Sequence, residues 1–142
     1  MNVTIRKFGY PATLLKELDH WVILLRPAQV TLGALVLAAK SDATAYGQLP
    51  REAFSEQAEA IARIEAALAS YCQYERINYL MLMMVDPNVH FHVIPRYEHS
   101  RRWHDQEFAD AGWPGPPRLE SAIKLSDEEV RELAGELSKI FE

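Results

Sequence analysis

The stretch from Asp86 to Arg96 constrains the fold of this chain more than any other, because it predicts a β-strand that carries two histidines. Apolar side chains fill alternate positions after an Asp-Pro turn, a pattern typical of strands. Side chains on a strand alternate between its two faces. One face is therefore predicted to present Asn88, His90 and His92, and the other Val89, Phe91 and Val93.

The length and composition indicate one ordinary globular domain. The chain has 142 residues, of which 49% are hydrophobic and 25% are charged, values that fit a folded protein with a proper core. We predict a single domain over residues 1–142, with a core at 20–97 and a loop and helix at 98–142. The net charge of −5 argues against a general nucleic-acid surface, because such surfaces are normally basic.

The single cysteine bears on the location of the protein. Cys72 has no second cysteine with which to form an internal disulfide, and a reducing compartment is the natural setting for such a chain. The first residues lack the apolar run of a signal peptide, and no stretch approaches the length of a membrane span. We therefore predict a cytoplasmic protein with no membrane partner.

Hydrophobic runs predict the strands of an antiparallel sheet. Trp21–Leu25 and Leu32–Ala39 are apolar throughout and predict a hairpin at its centre. Asn78–Met84 predicts a third buried strand, joined to the histidine strand by a connection so short that the two must be antiparallel neighbours. Val3–Tyr10 and Leu14–His20 carry weaker patterns, and we interpret both as extended.

Two amphipathic helices complete the predicted fold. The first begins at Pro50, and its apolar stripe consists of Phe54, Ala58, Ile61, Ile64, Leu68 and Tyr71. The second begins at a capping box, Ser126–Glu129, and its apolar stripe consists of Val130, Leu133, Leu137 and Ile140. The predicted fold class is α+β, with an antiparallel sheet of about five strands, one long helix and a C-terminal helix.

Two histidines on one strand face have three uses that the pattern alone leaves open. They can bind a metal, but a zinc site needs about three or four ligands, and His99 or His104 would have to fold back to supply the rest. One of them can attack phosphorus while the other stabilises the phosphoryl charge. They can also be exposed histidines without a function. We predict no metal site and no cofactor.

The histidine strand also carries a family resemblance. Asn88-Val89-His90-Phe91-His92-Val93-Ile94-Pro95-Arg96 resembles the signature of the histidine triad (HIT) family, His-φ-His-φ-His-φ-φ followed by Pro-Arg, where φ is apolar. Leu24–Ala39, with Gly33 inside its strand, resembles the family's glycine-containing hairpin, and the helix and the Leu/Met strand follow in family order. The resemblance covers most of residues 20–97. It implies an α+β homodimer that hydrolyses or transfers nucleotides at the α-phosphate through a nucleotidyl-histidine intermediate.

The resemblance implies a role for each matching residue. His90 falls at the position of the nucleophile, and His92 at the position that contacts the phosphate and the leaving group. Asn88 stands where the first triad histidine is expected, and its amide can hydrogen-bond but cannot relay a proton. Arg26, seven residues before Gly33, stands at the position of a ribose-binding asparagine.

Two further positions depart from the family pattern. Ala34 stands where the family often has a histidine that pairs with the first triad residue. Met84-Val85-Asp86-Pro87 replaces the Gly-Gln-Ser/Thr-Val segment that lends phosphate contacts. These changes leave the nucleophile and its neighbour in place but weaken the predicted orientation of the phosphate.

The resemblance therefore implies a nucleotide hydrolase or nucleotidyl transferase that cleaves a nucleoside phosphate at the α-phosphate. The predicted catalytic residues are His90, His92 and Asn88. The predicted substrate-binding residues are Arg26, Gly33 and Arg96. The alternative is a nucleotide-binding homodimer with little or no catalysis. The segment Arg101–Trp103 either closes over the nucleotide, with the tryptophan stacked on the base, or is a surface loop.

Overall fold

A five-stranded antiparallel sheet carries the two histidines, and helices cover both of its faces. The computed structural model describes residues 1–142. The strands are β1 (Leu14–Glu17), β2 (Trp21–Leu25), β3 (Ala28–Gln29), β4 (Leu35–Ala39), β5 (Arg76–Leu80), β6 (His90–Arg96), β7 (Arg101–Trp103), β8 (Gln106–Phe108) and β9 (Ile123–Lys124). The helices are α1 (Val3–Lys7), α2 (Arg51–Cys72) and α3 (Asp127–Ile140). The sheet order is β1-β2-β4-β6-β5. This architecture confirms the predicted α+β class.

The two central strands form the predicted hairpin. β2 pairs with β4 in antiparallel register over its full length, and every residue of both strands is buried. The short strand β3 lies between them in the sequence and pairs with β9 near the C-terminus. Because both faces of these strands are covered, the sequence shows a continuous apolar run in place of an alternating one.

The register of β4 against β6 sets the position of the histidines. His92 is paired with Val36, and His90 with Ala38. Paired residues on neighbouring strands point to the same face of a sheet. Both imidazoles therefore lie on the face of Val36 and Ala38, whereas Phe91 between them packs against the main core beneath α2.

Helices α2 and α3 cover the face opposite the imidazoles. The predicted stripe of α2 is partly wrong, because Phe54 is 38% exposed. The residues of α2 that are buried are Ala53, Gln57, Ala60, Ile64, Ala67, Leu68 and Cys72. The buried face of α2 is thus rotated relative to the predicted apolar stripe. Trp21 explains this rotation, since its indole lies beside Ala53 and donates to the Ala53 carbonyl oxygen at 2.7 Å. No helix of the protein combines the length and apolar character needed to cross a membrane.

The predicted capping box at the start of α3 is confirmed. The Ser126 side chain accepts from the Glu129 backbone, and the Glu129 side chain accepts from the Ser126 backbone. Val130, Leu133 and Leu137 are buried as predicted. Ile140 lies in the last turn of the helix and is 39% exposed, so the predicted apolar stripe ends one turn early.

The prediction of a strand over Val3–Tyr10 is wrong, because these residues contain helix α1. The Asn2 side chain caps the helix by accepting from the Ile5 backbone N–H at 2.9 Å. Its amide also donates to the carbonyl oxygens of Ala39 and Ser41, at 2.9 and 3.0 Å. Ile5 is fully buried and packs on Val22, Leu24, Val36 and Ala38. Helix α1 therefore covers the sheet face that carries the histidines.

The third predicted strand is shorter and more exposed than expected. β5 pairs antiparallel with β6, which confirms that the two are neighbours, but it ends at Leu80 and lies at the edge of the sheet. Residues 81–89 form the connection. Met84 and Val85 within it are 84% and 83% exposed, so the predicted core position of Met84 is wrong.

Gly33 lies in the turn before β4, not inside the strand. Its φ of +98° is in a region that residues with a side chain rarely adopt. Its N–H donates to the Gln29 side-chain oxygen at 2.8 Å. An added Cβ would lie 3.3 Å from Cδ2 of Leu68. The turn and the close approach of α2 therefore both require glycine.

Replacing Gly33 by alanine should destabilise the fold by about 1–3 kcal/mol, because the new side chain meets Leu68 in an unfavourable backbone conformation. Gly135→Ala in α3 is the matched control. Nothing lies within 4 Å of a Cβ at that position, and alanine in a helix should stabilise the protein by about 0.5–1 kcal/mol. Urea unfolding measures both effects. An unchanged midpoint for Gly33→Ala would contradict the role assigned to the turn.

Candidate functional site

His90 and His92 lie side by side on β6 beneath the ring of Phe8. Their ring centroids are 5.1 Å apart, and the Phe8 centroid is 5.5 and 5.6 Å from theirs. His90 is 1% exposed and His92 is 6% exposed. The two imidazoles are therefore a buried pair, which excludes the alternative that they are exposed surface histidines.

One hydrogen bond determines the tautomer of His90. Its Nδ1 lies 2.7 Å from the backbone oxygen of Asn88. A carbonyl oxygen can only accept, so Nδ1 carries the proton and Nε2 keeps a free lone pair. A neutral imidazole with a free Nε2 has the form that a histidine nucleophile requires.

Arg26 determines the opposite tautomer in His92. Its Nε donates to Nδ1 of His92 at 3.2 Å. A guanidinium group has no acceptor, so Nδ1 is unprotonated and the proton of His92 is on Nε2. Burial, together with the nearby positive charge of Arg26, lowers the pKa of His92 to about 4. His92 is therefore neutral near pH 7 and offers an N–H to an anionic group.

The Asn88 side chain binds helix α1 and does not take the place of a catalytic histidine. Its Oδ1 accepts from Oγ1 of Thr4 at 3.0 Å, and its Nδ2 donates to the carbonyl oxygen of Asp42 at 3.0 Å. Asn88 also precedes the strand, which begins at His90. With the amide engaged on both sides, Asn88 acts on His90 through its backbone carbonyl. These contacts position Thr4, Asp42 and His90 around Asn88, and the catalytic role of Asn88 stays a prediction.

The open space beside the histidines is a small cleft. Its volume is about 200 Å³, and its lining residues are Leu82, Met83, Met84, Val85, Asp86, His90 and His92. Ligand pockets are usually about 300–1,000 Å³. The Asp86 carboxylate lies 2.5 Å from Nζ of Lys7 and so links the cleft to α1. The same carboxylate also acts on Arg26. Burial of the Arg26 guanidinium lowers its pKa, and the negative charge of Asp86 opposes that shift.

Gly33 and Arg96 lie outside this cleft. Gly33 packs on the helix side of the sheet. Arg96 is 4% exposed, and its guanidinium donates to both carboxylate oxygens of Asp110 at 2.7 and 3.0 Å. Two further donors contact Asn78 and the Gly115 carbonyl oxygen. Arg96 therefore anchors the long loop after β6, and Gly33 forms a turn against α2. The substrate contacts of both residues stay predictions.

The segment from Arg101 to Trp103 does not close over the histidines. Arg101 donates to carbonyl oxygens at the end of α2, and the Trp103 indole donates to the carboxylate of Glu136 in α3. His104, one of the two histidines that could supply a further ligand in the metal alternative, lies 2.9 Å from the Glu132 carboxylate. This segment is therefore a hairpin packed against the helices.

The sequence reasoning missed the contribution of the N-terminal segment. Phe8 covers both imidazoles, Lys7 pairs with the cleft carboxylate, and Thr4 holds the residue before the strand. The available signal was Asn2, a good N-cap residue, followed by apolar residues at the helical spacing of Ile5 and Phe8. A loose alternation over the same residues favoured the incorrect strand.

Comparisons with known proteins find similar solved structures. No model of a known protein family matches the chain, and no curated protein sequence matches it. A histidine triad protein from Bradyrhizobium japonicum is 17% identical, with a TM-score of 0.74 over 100% of this chain and 97% of that one. A histidine triad protein from Sinorhizobium meliloti is 20% identical, with a TM-score of 0.73 over 98% and 94%.

A third solved structure is more distant. The diadenosine triphosphate hydrolase of Plasmodium falciparum is 12% identical, with a TM-score of 0.64 over 91% of this chain and 76% of that one. Similarity at such low identity concerns the path of the backbone, and here it extends over nearly the whole chain. It agrees with the motif on β6, where His90 and His92 stand in register after Asn88. The chain therefore has the fold of the histidine triad proteins, in a divergent form with asparagine at the first triad position.

Proposed function

We propose that this protein is a nucleotide hydrolase or nucleotidyl transferase of the histidine triad type, which cleaves a nucleoside phosphate at its α-phosphorus. The observation that carries the proposal is the pair of opposite tautomers. His90 has a free lone pair on Nε2, and His92 beside it has an N–H on the same atom. A nucleophile next to a hydrogen-bond donor is the combination that phosphoryl transfer through a covalent intermediate needs.

In the first step, Nε2 of His90 attacks the α-phosphorus. The N–P bond forms as the bond between phosphorus and the leaving group breaks, and the leaving group departs with the electron pair. His90 then carries a positive charge, which the Asn88 carbonyl stabilises through Nδ1–H. The N–H of His92 donates to a phosphoryl oxygen, and Arg26 holds the His92 ring in that orientation.

In the second step, water or another acceptor attacks the same phosphorus. The N–P bond breaks, its electron pair returns to Nε2 of His90, and the acceptor loses its proton to solvent. With water the product is the nucleoside monophosphate. The imidazole regains its starting tautomer, because Nδ1 stays bonded to the Asn88 carbonyl throughout.

Two of the matched structures support a nucleotide substrate. One is the diadenosine triphosphate hydrolase described above. Another, from Sulfolobus tokodaii, is a hypothetical histidine triad nucleotide-binding protein, 15% identical with a TM-score of 0.68. These similarities concern the fold alone. The tautomers of His90 and His92 are the chemical reason to propose a nucleotide substrate for this chain as well.

A specific observation favours a second candidate, a nucleotide-binding homodimer with little or no catalysis. Phe8 lies over both imidazoles, and the cleft beside them is smaller than most ligand pockets. Asn88 cannot relay a proton. Calorimetry separates the two candidates, because the second requires tight nucleotide binding without turnover and without a trapped His90 adduct.

We further propose that the protein forms a homodimer through β5. This strand lies at the edge of the sheet with a neighbour on one side only, and its side chains Ile77 and Tyr79 are half-buried. Pairing with β5 of a second copy would cover the unpaired backbone of both edges. Light scattering should give twice the mass of one chain, and a single-chain mass at all concentrations would rule the dimer out. The cytoplasmic location stays a prediction.

Replacing His90 by alanine should lower the release of nucleoside monophosphate by on the order of 10³-fold or more, because it removes the nucleophile. Dinucleoside polyphosphates and nucleoside phosphoramidates are suitable test substrates. His99→Ala is the matched control, since that imidazole is 86% exposed in the loop after β6 and should leave activity unchanged. Mass spectrometry of the quenched wild-type reaction should show the adduct. Equal activity of His90→Ala and the wild type would disprove the mechanism.

Folding stability should fall as the pH is lowered from about 6.5 towards 4, in part because of His92. Its folded-state pKa is lowered to about 4, whereas an unfolded histidine has a pKa of about 6.5. Between these values the unfolded chain binds a proton that the folded chain does not, so acid favours unfolding. His92→Gln keeps an acceptor for Arg26 and should show a weaker pH dependence of the urea midpoint. Identical pH dependence in both proteins would contradict the assignment.

A further inference from the structure

A second cavity lies on the sheet face that carries the histidines, but apart from them. Its volume is about 530 Å³, within the usual range of about 300–1,000 Å³ for ligand pockets. Ile94 separates it from the histidine cleft, because it lies between His92 and Arg96 on that face of β6 and is fully buried. We call this cavity the arginine pocket. It is lined by Arg76, Asn78, Arg96 and residues 113–116.

The floor of the arginine pocket is held in a fixed arrangement by Arg96. Arg76 is paired with Arg96 across β5 and β6, and paired residues share one face of a sheet. The Arg96 guanidinium is bonded to both carboxylate oxygens of Asp110, to Oδ1 of Asn78 at 2.7 Å and to the Gly115 carbonyl oxygen at 2.8 Å. These bonds join the two strands to the loop above them. Asp110 balances the charge of Arg96, so Arg96 adds no net charge to the pocket.

The polar groups that the protein leaves free in this pocket are hydrogen-bond donors. Arg76 is exposed, forms no ion pair with a carboxylate, and donates only to the Glu75 carbonyl oxygen. Because Oδ1 of Asn78 accepts from Arg96, the Nδ2 of Asn78 is the free end of that amide, and no protein group accepts its protons. The pocket therefore combines one uncompensated positive charge with a neighbouring amide donor, and this combination fits an anion.

Flat apolar rings line the other side of the arginine pocket. Trp113 is half-buried and stands next to Pro114, with Pro116 two residues further on. The carbonyl of Gly115 between the two prolines is bonded to Arg96, so this wall is tied to the floor. Aromatic faces pack well against other flat rings. A ligand that uses both sides of the pocket therefore carries its anionic group on an aromatic ring.

We propose that the arginine pocket is a binding site for a small aromatic carboxylate, distinct from the histidine cleft. The carboxylate accepts from the guanidinium of Arg76 and from Nδ2 of Asn78, and the ring packs against Trp113. A planar carboxylate suits these donors, because guanidinium and amide groups are planar as well. The proposed dimer pairs the backbone of β5 in the plane of the sheet, whereas this pocket lies on the face of the sheet. Both can therefore exist together.

An NMR titration of the isotope-labelled protein with 2-naphthoate near pH 7 tests the proposal. The chain has three tryptophans, and Trp113→Phe identifies one indole N–H signal by its loss. We expect 2-naphthoate to shift that signal. The indole N–H groups of Trp21 and Trp103 are bonded to protein oxygens away from the pocket, so their signals should stay in place. A shift confined to Trp21 and Trp103 would contradict the proposed position.

Three further ligands separate the contributions of charge and ring. Naphthalene-2-carboxamide has the same shape as 2-naphthoate without its charge and should bind about tenfold more weakly or worse, because a hydrogen bond between charged partners is lost. Acetate and inorganic phosphate have no ring and should also bind more weakly than 2-naphthoate. Equal binding of the amide, or tighter binding of phosphate, would overturn the assignment to an aromatic carboxylate.

Substitutions locate the bound carboxylate. Arg76 is exposed, so Arg76→Gln should keep the fold and weaken 2-naphthoate binding by about tenfold or more. Arg51→Gln is the matched control, since Arg51 is an exposed residue at the start of α2 and does not line the pocket. It should leave binding unchanged. His90→Ala should also bind 2-naphthoate as the wild type does.

Two results would overturn the proposal without bearing on the function proposed for the histidines. The first is the absence of 2-naphthoate binding in the wild type, which would also be the result if a second copy of the chain fills the pocket. The second is binding that His90→Ala abolishes and Arg76→Gln leaves intact, because the ligand would then lie in the histidine cleft. Loss of binding in Arg76→Gln alone supports the arginine pocket as a separate site.

Discussion

The hydrogen bonds around Asn88 join the two parts of the molecule on which the candidate site depends. The Asn88 side chain and backbone N–H bind Thr4 of α1 to the segment that leads into β6. The backbone carbonyl of Asn88 accepts a hydrogen bond from Nδ1–H of His90. One residue therefore holds the helix that places Phe8 over the imidazoles and also selects the tautomer of the imidazole beneath it. Because the carbonyl belongs to the backbone, this control of His90 does not require a histidine at the first triad position.

The second imidazole is also held in one tautomer by a single hydrogen bond. Arg26 directly follows strand β2, and its Nε donates to Nδ1 of His92. That bond makes His92 a neutral donor, and burial reinforces the effect by disfavouring a charged ring. In the function proposed above, the N–H of His92 is the donor to the phosphoryl group, and Arg26 orients it.

The sheet was predictable because its central strands obey simple rules. Trp21–Leu25 is buried on both faces, and the alternation on β6 separates the imidazoles from the core. Helix α1 was missed although Asn2, Ile5 and Phe8 carry its signal, because five residues are too few for a helical period to outweigh the loose alternation. Its stability comes from contacts such as that of Asn2 with Ala39. Likewise, the sequence shows a cation at Arg96 but not its partner Asp110, which lies in a loop 14 residues further on.

The position of Phe8 has a consequence for spectroscopy. Its ring centroid is within 5.6 Å of both imidazole centroids, so the imidazole protons lie in the magnetic field of the phenyl ring current. Any ligand that enters between them must change the distance or tilt of that ring. The proton resonances of His90 and His92 are therefore an intrinsic reporter of occupancy, one that needs neither a label nor a chemical reaction. The residue that covers the two imidazoles therefore also makes ligand binding beside them detectable.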